Sequence, residues 1–236
     1  KEDFDAGRYA KSADKAIEDI TARGKLPIIA GGTGLYIRAL LHGLFRSKPI
    51  SSLLLSQLNK ELEEKGSESL YQKLENCDPK AAQKIHPNDS FRVIRALEVY
   101  QTTGLKISDR QKNHNFETQR YHYFQIGLTM DREKLYDRIN KRVDAMLNQG
   151  LLDEVKKLAQ NGYSFHLKSM QSIGYKHMAM FINQKVDWEE AVRLLKRDTR
   201  RYAKRQFTWF NKDKNINWFM PSQFDRAESM IKEFLT

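Results

Sequence analysis

The sequence has few of the residues and patterns that mark disulfide-rich, zinc-binding or membrane proteins. Its 236 residues include one cysteine, Cys77. A lone cysteine cannot close an internal disulfide or build a zinc site by itself, and it fits the reducing cytoplasm. The longest apolar stretches, such as residues 26–30, are only a few residues long, whereas crossing a bilayer takes roughly 20. We therefore expect a cytoplasmic protein with no disulfide framework and no association with a membrane.

Other familiar patterns are also missing. The sequence contains no internal repeat or heptad, which excludes solenoid and coiled-coil architectures. It has no Gly-x-x-x-x-Gly-Lys-Ser/Thr loop, because Gly24-Lys25-Leu26 lacks both the upstream glycine and the hydroxyl residue. The histidines stand apart without metal-ligand spacing, and we interpret each as structural or exposed. They are His42, His86, His114, His122, His166 and His177.

Positive charge is in excess, and it is concentrated near the end of the chain. The formal net charge is +11. Between Arg193 and Lys214, nine basic residues stand against Asp198 and Asp213, a local surplus of seven. A local surplus is typical of a nucleic-acid-binding surface, whereas an even spread of charge would only aid solubility.

The periodicity of apolar residues divides the chain into an α/β part and a helical part. A helix over 4–21, a buried strand over 26–30 and a helix over 35–44 predict an α/β fold with parallel strands. Later strands are predicted over 121–130 and 216–219, with a helix over 131–150 that Asp131 caps and a helix over 151–159. In between, short helices are predicted over 52–66, 67–76, 79–85 and 88–103, the last ended by Gly104, followed by a mobile loop over 108–120. We expect an α/β core of residues 1–46 and 118–236 with an inserted helical subdomain of residues 47–117.

A glycine-rich turn, Gly31-Gly32-Thr33-Gly34, joins the first predicted strand to a helix. Gly31 and Gly32 allow backbone geometry that a side chain would block, and the Thr33 hydroxyl can cap the helix or donate to a phosphate oxygen. A strand, glycine turn and helix in this order are typical of a site that holds phosphate on backbone N–H groups. The same order is also a common structural connection, so this string alone leaves both interpretations open.

Two predicted helices carry basic residues in regular spacing. Arg138 and Arg142 lie one turn apart, where two guanidinium groups can clamp a diphosphate; the alternative is a solvated face. The second helix begins at Asp187 with a capping box to Glu190. Its basic stripe of Arg193, Arg197, Arg200 and Lys204 leads to the aromatic residues Tyr202, Phe207, Trp209 and Phe210. This combination favours RNA binding over the alternative of core aromatics beside a solvated stripe.

The motifs of the chain, taken in order, resemble those of the tRNA dimethylallyltransferases, also called tRNA isopentenyltransferases. Each string is unspecific, but their ordered combination is highly specific and runs through nearly the whole chain. The matching strings are Arg23–Ile28, Gly31–Tyr36, Ile85–Asp89, Arg92–Val99, Thr103-Gly104, Gly150–Val155, Ser172–Lys176 and Thr199–Trp209.

This resemblance implies transfer of a dimethylallyl group from dimethylallyl diphosphate to N6 of the adenine that follows the anticodon of tRNA, with Mg²⁺ assisting departure of the diphosphate. It implies a P-loop NTPase-like parallel-sheet core and a helical insertion that grips the anticodon arm. An adenine N6 inside a stacked loop must be swung into a pocket, and a diphosphate leaving group needs preorganised positive charge and N–H donors. Nothing in the sequence requires more than a monomer.

The resemblance also implies roles for individual residues. Thr33 would contact the diphosphate or the reacting centre, beside the backbone of Gly31 and Gly32, and Arg142 would hold the diphosphate. Arg138 joins this set from helix geometry. The residues implied to contact tRNA are Phe91, Arg92, Arg95, Gln171, Ser172, Gly174, Tyr175, Arg200, Arg201, Lys204, Arg205 and Gln206. No metal ligand can be assigned from the sequence.

The sequence departs from the family pattern in one respect. The family opens with a P-loop that carries a lysine and a Ser or Thr, followed by an aspartate acting as general base on the adenine amine, and neither is present here. The chain begins at Lys1-Glu2 with no initiator methionine or targeting segment. We therefore expect a fragment that lacks the N-terminal P-loop segment and, as given, lacks catalysis.

Two other functions fit parts of the pattern. An RNA-binding module with a purely structural glycine turn would bind tRNA with a steep salt dependence and would not interact with diphosphates. A nucleotide kinase-like P-loop enzyme with an accidental basic helix would prefer ATP to dimethylallyl diphosphate. The ordered motifs favour the transferase over both.

Overall fold

The computed structural model describes residues 4–44, 52–114 and 118–236. Residues 45–51 and 115–117, where the predicted insertion begins and ends, lie outside the described residues. The chain divides into two units, one of Lys1–Gly31 with Leu35–His122 and one of Gly32–Gly34 with Tyr123–Thr236. Within the described ranges, no helix is both long enough and apolar enough to cross a membrane.

Two helices form the opening part of the first unit. α1 (Ala6–Ala22) begins where the Asp5 carboxylate accepts a hydrogen bond from a backbone N–H of the first turn at 2.8 Å. α2 (Gly34–His42) packs against it, with the rings of Tyr9 and Tyr36 stacked at 4.9 Å between centroids. The buried residues of this contact are Ala6, Ala10 and Ala39. The helices predicted over 4–21 and 35–44 are confirmed.

The apolar run between these helices is not a strand, so this prediction was wrong. Residues 25–33 form an irregular connection. Leu26, Ile28 and Ile29 are exposed, with 81% of the Ile28 surface accessible. A strand needs a neighbour for its backbone hydrogen bonds, and no strand in the described part of the chain pairs with this run.

The helical segment of the first unit has a core of its own. α3 (Ser52–Cys77) is interrupted at Gly66, where a φ of 78° breaks the helix at the predicted boundary. α3 packs on α4 (Pro79–Ala82) and on α5 (Ser90–Thr103). The buried core includes Leu58, Leu70, Leu74, Val93, Leu97 and Val99. The predicted helical character of this segment is confirmed for its described residues, although α4 ends before the predicted Ile85.

A helix replaces part of the predicted loop over 108–120. α6 (Ile107–His114) starts beside the buried Asp78 carboxylate. That carboxylate accepts hydrogen bonds from the Ser108 hydroxyl at 2.6 Å and from the Ser108 backbone N–H at 3.0 Å. The loop prediction was wrong because a polar local sequence does not reveal an anchor 30 residues away.

The division into units differs from the predicted domains, because α1 and most of α2 cluster with the helical segment. The Asp14 carboxylate of α1 contributes to this grouping. It accepts hydrogen bonds from Arg120 at 2.8 Å and from the Tyr121 hydroxyl at 2.5 Å. Burial, together with this hydrogen bond, raises the pKa of Tyr121 to about 12, so its hydroxyl remains a donor.

The second unit contains a parallel pair of strands. β1 (Ile126–Leu128) pairs with β2 (Asn217–Phe219), with Gly127 opposite Trp218. Both strands are shorter than predicted, but the α/β class with parallel strands is confirmed in a mostly helical chain. The helices of this unit are α7 (Arg132–Asn148), α8 (Leu151–Gln160), α9 (Tyr175–Ile182), α10 (Trp188–Phe210) and α11 (Phe224–Leu235), with 3-10 turns at Lys168–Gln171 and Pro221–Gln223.

Helices α7 to α10 enclose the core of the second unit. Its buried residues are Val143, Leu151, Val155, Met170, Met178, Ala191 and Leu195. Asp131 caps α7 and Asp187 caps α10, as predicted, accepting backbone N–H groups at 3.0 Å and 2.7 Å. The predicted capping box is only half formed, because the Glu190 carboxylate binds Arg193 at 2.6 Å.

Candidate functional site

The glycine turn lies directly against the end of α10, within the second unit. The Gln206 amide donates a hydrogen bond to the Gly32 carbonyl at 2.9 Å. A Cβ on Gly32 would lie 2.0 Å from Nε2 of Gln206, and a Cβ on Gly34 would lie 2.0 Å from Nε1 of Trp209. Close packing on the indole therefore favours glycine at position 34, whereas at position 32 the flexible end of the Gln206 side chain could shift, and a Cβ on Gly31 would meet nothing within 4 Å.

Thr33 carries the side chain of the turn segment Gly32–Gly34, which belongs to this unit. It is exposed and directly precedes the first residue of α2. A hydroxyl in this place meets solvent beside the start of a helix, where N–H groups point outward. The contact between Thr33 and a diphosphate stays a prediction.

The middle of α10 is fixed to α7. Arg200 donates to Oδ1 of Asn140 at 2.7 Å, and its guanidinium lies 5.9 Å from the centre of the Tyr136 ring. Lys196 pairs with Asp144 at 2.6 Å. Arg200, predicted to contact tRNA, therefore already holds two helices together and is half-buried.

Three of the predicted tRNA-binding residues on α10 present free surface. Arg201, Lys204 and Arg205 are exposed, and the Arg205 guanidinium lies 5.6 Å from the centre of the Tyr202 ring. Tyr202 and Trp209 are partly exposed, whereas Phe207 stacks on Trp218 at 5.7 Å. Some of these aromatic residues thus pack inward and others face solvent beside basic groups, and RNA binding by the exposed ones stays a prediction.

Arg138 and Arg142 lie on a different face of α7 from the residues that contact α10. Two residues along a helix correspond to about 200° of rotation, so Arg142 points away from the side that carries Asn140. Both arginines are exposed, and within the described ranges neither has an ion-pair partner. The structure shows no contact of this pair with the described glycine turn, so their role in holding a diphosphate stays a prediction.

The start of α5, in the first unit, presents an exposed aromatic ring between charged groups. The Phe91 side chain is 75% exposed. Asp89 caps the helix and forms an ion pair with Arg92, while Arg95 donates to Glu98 at 2.9 Å. The Glu98 carboxylate is buried. Each of these two arginines thus has an acidic neighbour that orients it.

The predicted tRNA-binding segment before α9 is held by hydrogen bonds. The Gln171 amide donates to the Phe165 carbonyl at 2.6 Å, and the Tyr175 hydroxyl donates to Glu154. The bond to Glu154, together with burial, raises the pKa of Tyr175 above its usual value. Gly174 has a φ of 101°, a conformation that favours glycine, while Ser172 is exposed.

A cluster around Asp198 was not predicted from the sequence. Its carboxylate contacts Lys176 at 3.0 Å, His177 at 3.2 Å and Arg197 at 2.9 Å. His177, predicted to be structural or exposed, is structural: it is 1% exposed and both ring nitrogens have partners. The signal that could have located the cluster is Asp198 itself, an acidic residue inside the basic run of α10.

Burial alone would raise the pKa of Asp198. Hydrogen bonds from Lys176 and Arg197, with the charge of Lys176 and the contact with His177, outweigh burial and hold the pKa below its usual range. Burial also lowers the pKa of His177, more than the contact with Asp198 raises it. The cluster therefore holds an ionised carboxylate against a neutral imidazole.

Metal-binding side chains are not gathered in this region. The described residues contain no group of three or more His, Cys, Asp or Glu side chains that could hold a metal ion.

Comparison with known proteins gives consistent matches along the chain. The model of the IPP transferase family matches residues 1–213. A tRNA dimethylallyltransferase of Acetivibrio thermocellus is 50% identical over 232 residues, which cover 98% of this chain and 74% of that protein. A tRNA dimethylallyltransferase of Desulfosudis oleivorans is 46% identical over 235 residues, covering 99% and 75%. The chain thus spans about three quarters of the length of these relatives.

Solved structures give the same result. A tRNA delta(2)-isopentenylpyrophosphate transferase from Staphylococcus epidermidis is 41% identical with a TM-score of 0.64, covering 98% of this chain and 77% of the other. A eukaryotic dimethylallyltransferase captured acting on tRNA is 30% identical with a TM-score of 0.74, covering 99% and 63%. The similarity extends over the described helices of both units.

Proposed function

Because the chain belongs to the IPP transferase family, we propose that it transfers a dimethylallyl group from dimethylallyl diphosphate to N6 of adenine 37, 3′-adjacent to the anticodon of tRNA. In this reaction the N6 nitrogen forms a bond to C1 of the dimethylallyl group, the bond from C1 to the diphosphate oxygen breaks, and N6 loses a proton. Relatives at 46% to 50% identity that carry the name tRNA dimethylallyltransferase support this assignment.

The observation that carries the proposal is the contact between the glycine turn and α10. The hydrogen bond from Gln206 to the Gly32 carbonyl holds this part of the glycine turn beside a helix with exposed basic and aromatic side chains, and we propose that the turn binds phosphate. Transfer from a diphosphate to RNA needs these two features next to each other. An isolated RNA-binding surface or an isolated phosphate turn would not require the contact.

In the proposed site, Gly31, Gly32 and Thr33 bind the diphosphate through backbone N–H groups and the hydroxyl. Arg142 neutralises the charge that develops as the diphosphate leaves, with Arg138 one turn away. Their exposure and lack of ion pairs in the described ranges support this role, because neither must first break an existing contact.

Each unit carries proposed tRNA contacts. In the second unit, the exposed side chains of Arg201, Lys204 and Arg205 bind phosphates, Gln171, Ser172, Gly174 and Tyr175 are further contacts, and Arg200 and Gln206 support α10 from within. In the first unit, the exposed ring of Phe91 stacks on an unstacked base, and Arg92 and Arg95 are further contacts. The proposal includes the anticodon stem-loop as the part of tRNA bound and a monomer as the binding species.

The proposal includes Mg²⁺ as the cofactor. Mg²⁺ commonly binds substrate phosphates and only one or two carboxylates. Since the described residues offer no cluster of metal-binding side chains, we assign the ion to the diphosphate and name no protein ligand.

The test is transfer of radiolabel from dimethylallyl diphosphate to unmodified tRNA by the full-length protein and three variants. Arg142→Ala should lower kcat on the order of 100-fold, as expected for the loss of a group that stabilises developing charge. Thr33→Ala should lower it about tenfold through loss of a hydrogen bond. Lys141→Ala is the matched control, because Lys141 is exposed on the same helix and pairs with Asp137.

Three results would contradict the proposal. Binding of tRNA without label transfer would favour an RNA-binding module. Preferential binding of ATP over dimethylallyl diphosphate would favour a nucleotide kinase-like enzyme. Equal loss in Lys141→Ala and Arg142→Ala would remove the assigned role of Arg142. The prediction that residues 1–236 alone have no turnover is tested by the same assay with that chain.

A further inference from the structure

We infer that Asp198 and His177 are positioning residues for the tRNA-binding surface. This inference rests on the proposed function. It adds two residues that contact no substrate themselves and act by holding the segment before α9 and the basic groups of α10 in one arrangement. The two elements lie in the same unit, so the link is internal to it.

The Asp198 carboxylate contacts basic groups from two helices. Oδ2 of Asp198 contacts Nζ of Lys176 at 3.0 Å and Nε2 of His177 at 3.2 Å. Oδ1 accepts from Nε of Arg197 at 2.9 Å and lies 3.8 Å from Nη1 of Arg201. One carboxylate therefore organises cations from both α9 and α10.

The second ring nitrogen of His177, Nδ1, contacts the backbone before α9. The backbone N–H of Gly174 donates to Nδ1 of His177 at 3.4 Å. Since Nδ1 accepts, the neutral ring carries its proton on Nε2 and donates it to Asp198. His177 thus connects the Gly174 turn to the Asp198 carboxylate through a residue that is 1% exposed.

Asp198 carries a negative charge within a strongly basic part of the chain. Asp198 is one of two acidic residues against nine basic residues between positions 193 and 214. If this helix acted only through its charge, removing Asp198 would strengthen RNA binding. The ionised carboxylate of Asp198 therefore acts through its contacts. It holds Arg197 and Arg201 at defined positions beside the Gly174 turn.

The first experiment compares Asp198→Asn with Glu190→Gln. Both substitutions on α10 remove one negative charge beside an arginine, but Glu190 forms only an exposed pair with Arg193. Asp198→Asn should raise the KM and the Kd for tRNA on the order of five- to tenfold, as expected for loss of charge-assisted hydrogen bonds, with kcat and the KM for dimethylallyl diphosphate within about twofold. Binding of poly-uridine should be unchanged or tighter, because it depends on charge alone.

The second experiment separates the two hydrogen bonds of His177. In His177→Gln the side-chain amide replaces Nε2 and still donates to Asp198, whereas in His177→Asn the carbonyl replaces Nδ1 and accepts only from Gly174. Each variant therefore breaks one half of the link between the Gly174 turn and Asp198, and we expect each to raise the tRNA KM severalfold. Thermal unfolding of all variants is measured alongside, because a purely structural role would lower stability and kcat together.

The outcomes separate the inference from the proposed function. Suppose that the wild type transfers the label but Asp198→Asn keeps the KM and Kd for tRNA unchanged, or binds tRNA more tightly, to the same extent as Glu190→Gln. That result would overturn the inference and leave the proposed function intact. If the wild type binds tRNA but transfers nothing, the proposed function fails, and the Kd series still tests the inference. If the wild type binds no tRNA, both fail. An unchanged KM for tRNA in either His177→Gln or His177→Asn would also overturn the role of His177 as a link.

Discussion

Substitution of Gly34 by alanine tests whether the glycine turn lies as close to α10 as the structure shows. A Cβ on Gly34 would lie 2.0 Å from Nε1, 2.2 Å from Cδ1 and 2.6 Å from Cε2 of Trp209. Ordinary contact begins at 3.4 Å. The indole or the turn must therefore move by about 1.4 Å, as expected when a side chain is added to a packed contact.

The expected cost follows from two opposing effects. Overpacking of this kind destabilises by about 1–3 kcal/mol. Alanine at the first helical position recovers up to about 1 kcal/mol relative to glycine. We expect Gly34→Ala to lower the free energy of unfolding by about 1–2 kcal/mol. Gly31→Ala is the matched control, because its Cβ meets nothing within 4 Å, and it should be neutral or slightly stabilising.

Urea unfolding of a double-mutant cycle with Trp209→Ala measures the clash itself. In the absence of the indole, Gly34→Ala should lose most of its cost, which gives a coupling of about 1 kcal/mol or more. Equal stability of Gly34→Ala and Gly31→Ala, with no coupling to Trp209, would refute the close packing of the turn on α10.

Two further predictions concern the Asp78 anchor and the His177 cluster. Asp78→Ala removes the acceptor of the Ala81 N–H at 3.1 Å and of both Ser108 contacts, so urea unfolding should show a loss of about 2–4 kcal/mol, with exposed Asp19→Ala as the control. Because burial places the folded pKa of His177 below its unfolded value, its contribution to stability is present above about pH 6.5 and is lost as the pH falls. The unfolding free energy of the wild type should therefore decrease between pH 7 and pH 5 more than that of His177→Gln, and parallel curves would contradict the neutral imidazole. Because the pKa of Asp198 is also lowered on folding, its contribution to the free energy of unfolding is lost in the same way, but at lower pH, as the pH falls below 3.8.

Local signals in the sequence located the helices well. Asp131 and Asp187 were identified as caps because a short acidic side chain directly precedes an apolar periodic segment. The break at Gly66 and the left-handed end of α5 at Gly104 followed from glycine alone. These features depend on a few neighbouring residues, which is why periodicity and capping chemistry predicted them.

The errors arose where a distant residue decides the outcome. Residues 26–30 have the composition of a buried strand but no pairing neighbour in the described ranges. α6 depends on Asp78, which lies 30 residues from Ser108. No local pattern contains this information.

The candidate site shows the same limit. The sequence identified the glycine turn and the basic helix, but not that Gln206 and Trp209 hold the turn. It indicated Arg200 as a tRNA contact, which stays a prediction, but not that the side chain donates to Asn140 of α7. His177 and Asp198 are 21 residues apart, so their pairing emerges only in three dimensions.

The identity of the modified nucleoside shows whether the dimethylallyl group is transferred to the adenine that follows the anticodon. The full-length protein is incubated with unmodified tRNA, Mg²⁺ and labelled dimethylallyl diphosphate, and the tRNA is then digested and its nucleosides are separated by mass spectrometry. We expect the label on N6 of the adenosine that follows the anticodon, with little label after reaction with Arg142→Ala. Label on another nucleoside, or tRNA that is bound but unlabelled, would contradict it.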